Sequence, residues 1–325
     1  MEPKLSTLQE AIVYFSNPTN CRNYVADRRW PKGVECPRCG NKKVTFLEKY
    51  NRWQCGARHA NRQFTAKTGT IFEDSPLGLD KWLAAMWQVV NCKNGVSSYE
   101  VHRAIRITQK SAWFMDHRIR LALQVGSLEK LGGPGSEVEA DEAVKRGTCT
   151  QHVGHNSGLL GRLLWEMRLW STRLLSGAFW TEKSRRVRAT VVPKVNREAL
   201  QTAVLDQVAP GSKVYTDEAK VYRALPKDYI HEFVNHMESY VNGQVHTNGL
   251  ENFWSLLKRT LSGTYVAVEP FHLHRYLDEQ MFRYNHRKNM DDGQRFDLAV
   301  RQIHGKRLTW AELTGKASGS TIPTI

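Results

Sequence analysis

Three acidic residues stand where a folded chain can bring carboxylates together. Asp141 and Asp217 each close a short run typical of a β-strand, and Glu251 lies near the start of a predicted helix. Carboxylate oxygens are the ligands that Mg²⁺ prefers. Two such ions, roughly 3.5–4 Å apart, can activate an attacking hydroxyl and stabilise the leaving oxygen. The set therefore predicts in-line phosphodiester chemistry, although each acid taken alone is typical of a solvated surface.

The helix that carries Glu251 holds further candidates. Lys258 follows Glu251 by seven positions, or two helical turns, so both residues share one face. We predict that Lys258 and the adjacent Arg259 contact nucleic-acid phosphate. His246, just before the helix, has two open interpretations: it orients a carboxylate or the substrate, or it only caps the helix.

A second group of metal-ligand residues lies in the N-terminal third. Cys36 and Cys39 form a C-x-x-C turn that ends at Gly40, and Cys55 and His59 follow further along the chain. Cys₃His is a standard closed zinc set, and the residues between the two pairs resemble short strands. We predict a zinc ribbon with a structural ion, in which His59 is the least specific ligand. The alternative, a reduced redox pair, lacks a surrounding βαβ pattern.

Two helices are predicted after the ribbon, at residues 98–105 and 108–123. Their spacing is that of a helix-turn-helix. The second helix carries Lys110, Arg118 and Arg120, residue types that suit phosphate and major-groove contacts, so we predict that they bind DNA. An ordinary helical hairpin with a solvated basic face is the alternative.

The charge balance favours a polyanionic partner. The 325 residues include 47 Lys and Arg against 32 Asp and Glu, a formal net charge of +15. A basic soluble protein without a special partner is the alternative. No stretch approaches the roughly 20 apolar residues of a membrane-spanning helix, and the first residues lack the layout of a signal peptide, so we predict a cytoplasmic protein. Three of the six cysteines cluster within twenty residues, which in a reducing compartment indicates metal binding rather than disulfides.

These motifs together resemble the bacterial insertion-sequence transposases related to the eukaryotic Merlin elements, which carry an ISXO2-like transposase domain. The resemblance rests on five stretches, at residues 36–39, 63–75, 139–142, 214–218 and 246–265.

The resemblance implies a DDE transposase with an RNase H-like catalytic domain that uses Mg²⁺ or Mn²⁺ to cut and join element ends. Asp141 and Asp217 match the family motifs directly. At the third position some members have Asn, so Glu251 is our first choice and Asn248 our second. The implied partners are double-stranded DNA, namely the terminal inverted repeats and the target, and further copies of the chain in a synaptic complex. A bacterial, nucleoid-associated location follows.

The predicted fold class is α/β (α+β), with a mixed sheet in the catalytic domain. The predicted domains are an N-terminal helical segment (1–30), a zinc ribbon (31–75), a helix-turn-helix region (76–127), an RNase H-like domain (128–290) and a C-terminal tail (291–325).

Residues 143–186 are atypical of the family. Their codons, read one base out of frame, allow the family's own hairpin and strand sequences, so we hypothesise a reading-frame slip and an impaired copy. A lineage-specific insertion is the alternative. Two other functions stay open: a non-catalytic DNA-binding protein that uses only the ribbon and the helix-turn-helix, and an RNase H-like nuclease that acts on another nucleic acid.

Overall fold

The computed structural model divides the chain into two compact units, Met1–Val125 with His286–Thr324, and Gly126–Asn285. The residues that the structure describes are 5–124, 130–146, 173–181, 185–192, 197–217, 226, 228–234 and 248–316.

Helices and short strands follow one another along the described residues. The helices are α1 (Leu8–Phe15), α2 (Pro18–Arg29), α3 (Leu79–Asn91), α4 (Ser98–Ile105), α5 (Gln109–Leu123), α6 (Arg197–Gln207), α7 (Asn248–Arg259), α8 (Leu273–Asn285), α9 (Asp292–Arg301) and α10 (Trp310–Leu313). The strands are β1 (Val44–Leu47), β2 (Arg52–Cys55), β3 (Gln63–Phe64), β4 (Leu131–Gly132), β5 (Glu137–Arg146), β6 (Arg173–Thr181), β7 (Arg186–Val192), β8 (Val208–Ala209), β9 (Lys213–Asp217) and β10 (Ile230–Val234).

Local capping explains where several helices begin. The Thr7 hydroxyl accepts a hydrogen bond from the Glu10 backbone N–H, and the Glu10 carboxylate accepts one from the Thr7 N–H, at 3.2 and 3.0 Å. The same reciprocal pattern starts α4 at Ser97, α9 at Asp291 and α10 at Thr309. An N-cap of this kind is typically worth about 1 kcal/mol, so these boundaries follow from short-range sequence.

In the first unit, α3 packs against α1, α2, α5 and α9. The rings of Phe15, Tyr24 and Phe296 meet at centroid distances of 5.1 to 5.8 Å. The Arg28 guanidinium donates to the Asp297 carboxylate at 2.6 Å. Residues of α9 therefore contribute to the core of the N-terminal unit, whereas the sequence predicted a C-terminal tail from residue 291.

The two predicted helices after the ribbon both form. α4 spans Ser98–Ile105, and α5 starts at Gln109 because the Thr108 hydroxyl accepts from the Ser111 N–H at 3.1 Å. Arg106 turns the chain between them with a positive φ of 50°. The structure thus supplies two helices joined by a tight turn.

The second unit is built on a five-stranded sheet of order β10-β9-β5-β6-β7. β5, β6 and β7 are antiparallel neighbours, whereas β9 runs parallel to both β5 and β10. One face of the sheet packs on α6 through Val138, Phe179 and Val204. The other face packs on α7 and α8, through a cluster that includes Val187 and Phe253. The mixed α/β class predicted from the sequence is therefore present.

An amide side chain covers part of the end strand β7. The Val187 N–H donates to the Asn285 side-chain oxygen at 2.7 Å, and the Asn285 amide donates to the Val187 carbonyl at 2.9 Å. The Ala189 N–H donates to the Met281 sulfur at 2.9 Å. Helix α8 therefore satisfies backbone groups of β7 that the sheet leaves open.

One detail of this unit differs from the sequence-based prediction. β5 continues past Asp141 to Arg146, because β6 pairs with it from Val138 to Arg146. The glycine-rich stretch 131–135 contains the short strand β4, which pairs with β8. Gly132 is required there, since a Cβ would lie 2.4 Å from the Ser212 hydroxyl oxygen.

Strand β6 and the first residue of β7, Arg186, come from the second half of the atypical segment. Residues 147–172 and 182–184 lie outside the described residues. Across the described helices, none combines the length with the apolar character needed to cross a membrane.

Candidate active site and metal centre

The four predicted zinc ligands converge at one end of the β1–β2–β3 sheet. The ligand atoms of Cys36, Cys39, Cys55 and His59 all lie within 4.8 Å of one another. The Cys39 and Cys55 sulfurs are 3.6 Å apart, and the Cys36 sulfur lies 3.5 Å from the His59 Nε2. A tetrahedral ion with Zn–S bonds of about 2.3 Å would separate two sulfurs by about 3.8 Å. The donor set and its spacing fit structural zinc.

Local hydrogen bonds favour the metal-binding forms of His59 and Cys36. The His59 Nδ1 lies 2.7 Å from the Ala60 carbonyl oxygen, which can only accept, so Nδ1 carries the proton and Nε2 keeps its lone pair for a metal. Burial opposes ionisation of Cys36, but hydrogen bonds from the Arg38 and Cys39 backbone N–H groups outweigh it and lower the pKa of the thiol to about 7. A thiolate is the form that binds metal.

The turn geometry explains why the first pair of cysteines can share one ion. The Gly40 N–H donates to the Cys36 carbonyl at 2.9 Å, and Gly40 has a φ of +70°, a conformation that favours glycine. On the second knuckle, the Gly56 N–H donates to the Lys43 carbonyl at 2.8 Å.

The two aspartates of the predicted acidic set lie on neighbouring strands. β5 and β9 pair in parallel, with Glu137 opposite Lys213 and Glu139 opposite Tyr215. Two residues further along each strand stand Asp141, which is half-buried, and Asp217, the last residue of β9. The register therefore sets positions 141 and 217 level with each other, at the carboxyl end of the parallel pair.

The helix that carries Glu251 is tied to the same strand. The Leu250 N–H donates to the Glu139 carboxylate at 3.2 Å, and the Tyr284 hydroxyl donates to the Gly249 carbonyl at 2.9 Å. Glu139 is 3% exposed. The first turn of α7 is therefore held against β5, two residues before Asp141.

α7 separates an apolar face from a charged one. Its buried face packs Leu250, Phe253, Trp254 and Leu257 into the core. Glu251, Lys258 and Arg259 are all exposed.

Two of the predicted residues are described only in their backbone, and a third is not described at all. The backbone of Asp217 ends β9 and that of Asn248 begins α7, but their side chains lie outside the described residues. His246 lies outside them altogether.

Burial argues against two of the predicted DNA contacts on α5. Arg118 is 4% exposed and Arg120 is 1% exposed. The Arg118 guanidinium donates to the Glu73 carbonyl and lies over the Trp82 ring, 5.3 Å from its centroid. Neither side chain offers a surface to phosphate.

Lys110, nearer the start of α5, is exposed, and its ammonium lies 4.5 Å from the centroid of the Trp310 ring. The same tryptophan contacts Trp113 and Phe114 edge to face. α10 therefore covers part of α5, a contact that no local pattern in the sequence predicts.

Comparison with known families matches both halves of the chain. A transposase zinc-ribbon domain matches residues 17–59, and an ISXO2-like transposase domain matches residues 168–285. The chain is 32% identical over 101 residues to an uncharacterized transposase-like protein of Haemophilus influenzae, which covers 31% of this chain and 81% of that protein. The chain belongs to the insertion-sequence transposases with an ISXO2-like domain.

Another relative of this transposase extends the likeness over most of the chain. It is an uncharacterized protein in transposable element ISH50 of Halobacterium salinarum, 28% identical over 259 residues, covering 77% of this chain and 85% of that protein. The ISXO2-like match begins at residue 168, inside the segment that we described as atypical.

Sequence reasoning missed the role of Glu139 in this transposase. The signal was available, since residues 139 and 141 alternate with Val138 and Ala140 and must share the opposite face of β5. A buried carboxylate on a strand face that packs against a helix needs a hydrogen-bond donor. The N–H groups in the first turn of a helix have no partner within the helix and can donate to it.

Proposed function

We propose that the chain binds insertion-sequence ends and performs metal-dependent phosphodiester cleavage and strand transfer as a DDE transposase. The observation that carries the proposal is the register of β5 and β9, which sets Asp141 level with Asp217 while Glu139 draws the first turn of α7 to the same strand. The strand order, with three antiparallel strands followed by two parallel ones, supports an RNase H-like fold.

In this proposal Asp141, Asp217 and Glu251 hold two Mg²⁺ or Mn²⁺ ions. Hard divalent ions favour carboxylate oxygen, so the donor set fits them. When bound, they would lower the pKa of an attacking water or 3′-hydroxyl and stabilise the leaving oxygen. Asn248, at the start of the same helix, is the second choice for the third residue, and His246 is proposed to support the site.

The residues of the chain would position the DNA. Lys258 and Arg259 lie on α7 beyond Glu251 and offer exposed cations to phosphate. Lys110 is exposed near the turn between α4 and α5. Its exposure supports a DNA contact by a helix-turn-helix there. The synaptic complex is proposed to hold more than one copy, since two ends must be joined.

The proposal is tested with purified protein and a duplex that carries the inverted repeats flanking the gene. We expect Mn²⁺- or Mg²⁺-dependent cleavage at the ends. Asp217→Ala should lower the rate by about a thousandfold or more and leave end binding intact, because the metals act in the chemical step. End binding without cleavage under any metal condition would contradict the proposal.

One rival follows from a specific observation. The match to the ISXO2-like domain begins only at residue 168 and so leaves out Asp141, whereas the zinc-ribbon domain matches residues 17–59. This difference favours a copy that still binds DNA but no longer cuts it. Cleavage by this chain would exclude this rival. Sequencing the gene and related copies for compensating insertions near codons 143 and 184 tests the frame-slip hypothesis directly.

A further inference from the structure

We propose that Glu139 is a positioning residue, which holds the first turn of α7, and with it Glu251, at a fixed place beside Asp141. The inference rests on the proposed function, because it concerns how the proposed metal-binding carboxylates are brought together.

Glu139 is a charged side chain in a position that packing alone would give to an apolar one. Its side chain is 3% exposed, and it faces a helix whose neighbouring residues Leu250 and Phe253 are fully buried. Burying a carboxylate costs free energy unless hydrogen bonds replace its water. A well-packed apolar residue at such a place is often as stable or more so. Stability alone therefore does not explain this residue.

The hydrogen bond to Leu250 shows what the carboxylate does. Leu250 is the third residue of α7, and its N–H is one of the donors that no carbonyl inside the helix can reach. A negative charge at this end is also favoured by the helix dipole. The bond joins a strand to a helix across 111 positions of sequence, so it fixes a long-range distance.

Both neighbours of this contact are candidate metal ligands. Glu139 and Asp141 share one face of β5, since side chains alternate along a strand. Glu251 follows Leu250 directly in the chain. A metal site tolerates misplacement of its ligands by only about 0.5 Å. One hydrogen bond between these elements thus sets the spacing between the strand ligand and the helix ligand.

Loss of this bond should loosen the first turn without unfolding the helix. Phe253 and Leu257 keep α7 in the core, and the Tyr284 hydroxyl still holds the Gly249 carbonyl. The expected defect is therefore local. A local defect of this kind would distinguish a positioning role of Glu139 from a general role in folding.

The test compares Glu139→Ala with Glu139→Gln in the full-length protein. The glutamine keeps an oxygen that can accept from Leu250, and Glu137→Ala, on the same strand, is the matched control. Hydrogen exchange of peptides spanning residues 248–257 should show the Leu250 amide exchanging about tenfold faster in Glu139→Ala. Glu139→Gln and Glu137→Ala should remain close to the unmodified protein.

Mn²⁺ binding, measured by titration calorimetry without DNA, supplies the second readout. We expect Glu139→Ala to weaken Mn²⁺ affinity by about 10- to 100-fold, the usual cost of removing a residue that orients metal ligands. Glu139→Gln should recover most of it. End cleavage should follow the same order.

Three results would overturn the inference. Unchanged exchange at Leu250 in Glu139→Ala would mean that the bond does not hold the turn. Faster exchange with unchanged Mn²⁺ affinity would reduce Glu139 to a helix cap. Equal loss of Mn²⁺ in Glu139→Gln and Glu139→Ala would make Glu139 itself a ligand. If the exchange and Mn²⁺ results hold but the unmodified chain never cleaves ends, the proposed function fails and the positioning role stands.

Discussion

The zinc ribbon and the acidic sheet edge assemble metal ligands over very different lengths of chain. All four zinc ligands lie within residues 36–59, on two short knuckles joined by a hairpin. The acidic candidates are spread over residues 141–251, and their proposed meeting depends on the register of β5 with β9 and on the contact of α7 with β5. The first site depends on local turns, whereas the second depends on the packing of a whole unit.

Removal of a zinc ligand should have the largest effect, and it should be confined to the ribbon. Cys55→Ser is expected to lose stoichiometric zinc and the roughly 10–16 kcal/mol that structural zinc supplies at pH 7. Elemental analysis and limited proteolysis of residues 31–75 measure this. The exposed Cys92→Ser is the control and should keep its zinc. Equal zinc loss in both variants would contradict the assigned ligand set.

A cavity in the second unit should affect stability and end cleavage but leave the zinc site unchanged. Phe253 is fully buried between α7 and the sheet, so Phe253→Ala should cost about 3–5 kcal/mol of the free energy of unfolding. Thermal unfolding and end-cleavage rates measure the loss, while zinc content should not change. The exposed neighbour Asn252→Ala serves as control. Full cleavage activity in the destabilised protein would break the link between packing and the acidic site.

A third substitution tests whether the N-terminal unit, unlike its zinc site, depends on contacts between residues that are far apart in the sequence. Burial raises the pKa of Asp297, but hydrogen bonds from Arg301 and Arg28 outweigh it and hold the pKa below the usual range of an aspartate. A lowered folded-state pKa means that the stabilisation is complete above the unfolded pKa and is lost as pH falls through the folded one.

Asp297→Asn should therefore destabilise the protein by about 1–3 kcal/mol at pH 7, because it weakens the charged hydrogen bonds of Asp297 to Arg28 on α2 and to Arg301 on α9. The difference from the unmodified protein should shrink as the pH falls through the lowered pKa of Asp297. Denaturant titrations at several pH values measure this, with the exposed Asp27→Asn as control. A pH-independent difference would show that the ion pair is not the cause.

The smallest expected effect concerns DNA contact on α7. Lys258→Ala should lower the salt dependence of end binding by about 0.9 in the log–log slope and weaken affinity only a few-fold. Electrophoretic or fluorescence titrations at four salt concentrations give the slope, and the exposed Lys316→Ala is the control. An unchanged slope would remove Lys258 from the proposed interface.

The local features of the molecule could be predicted from the sequence, and the distant contacts could not. The zinc ligands, both helices after the ribbon and the exposed face of α7 each depend on residues a few positions apart. Arg118 and Arg120 are predicted from the sequence to bind DNA. A residue's neighbours in sequence do not reveal the Glu73 carbonyl that accepts from Arg118 or the Trp82 ring beside it.

For the acidic site, too, the sequence predicts the local features but not the distant contacts. Asp217 does end its strand, whereas Asp141 lies in the middle of β5, because the length of an antiparallel pair is set by its partner β6. Glu139 shows the same dependence, since its function appears only when Leu250 is placed opposite it. Whether Glu251 or Asn248 completes the set stays a prediction.

The contacts of α8 with strand β7 affect how copies of the chain can pair with one another. In the described sheet β7 has a neighbour on one side only, and open strand edges invite pairing with other chains. Asn285 engages both backbone groups of Val187, which a strand from another copy would need. The proposed synaptic complex would therefore bring copies of the chain together without pairing them through Val187.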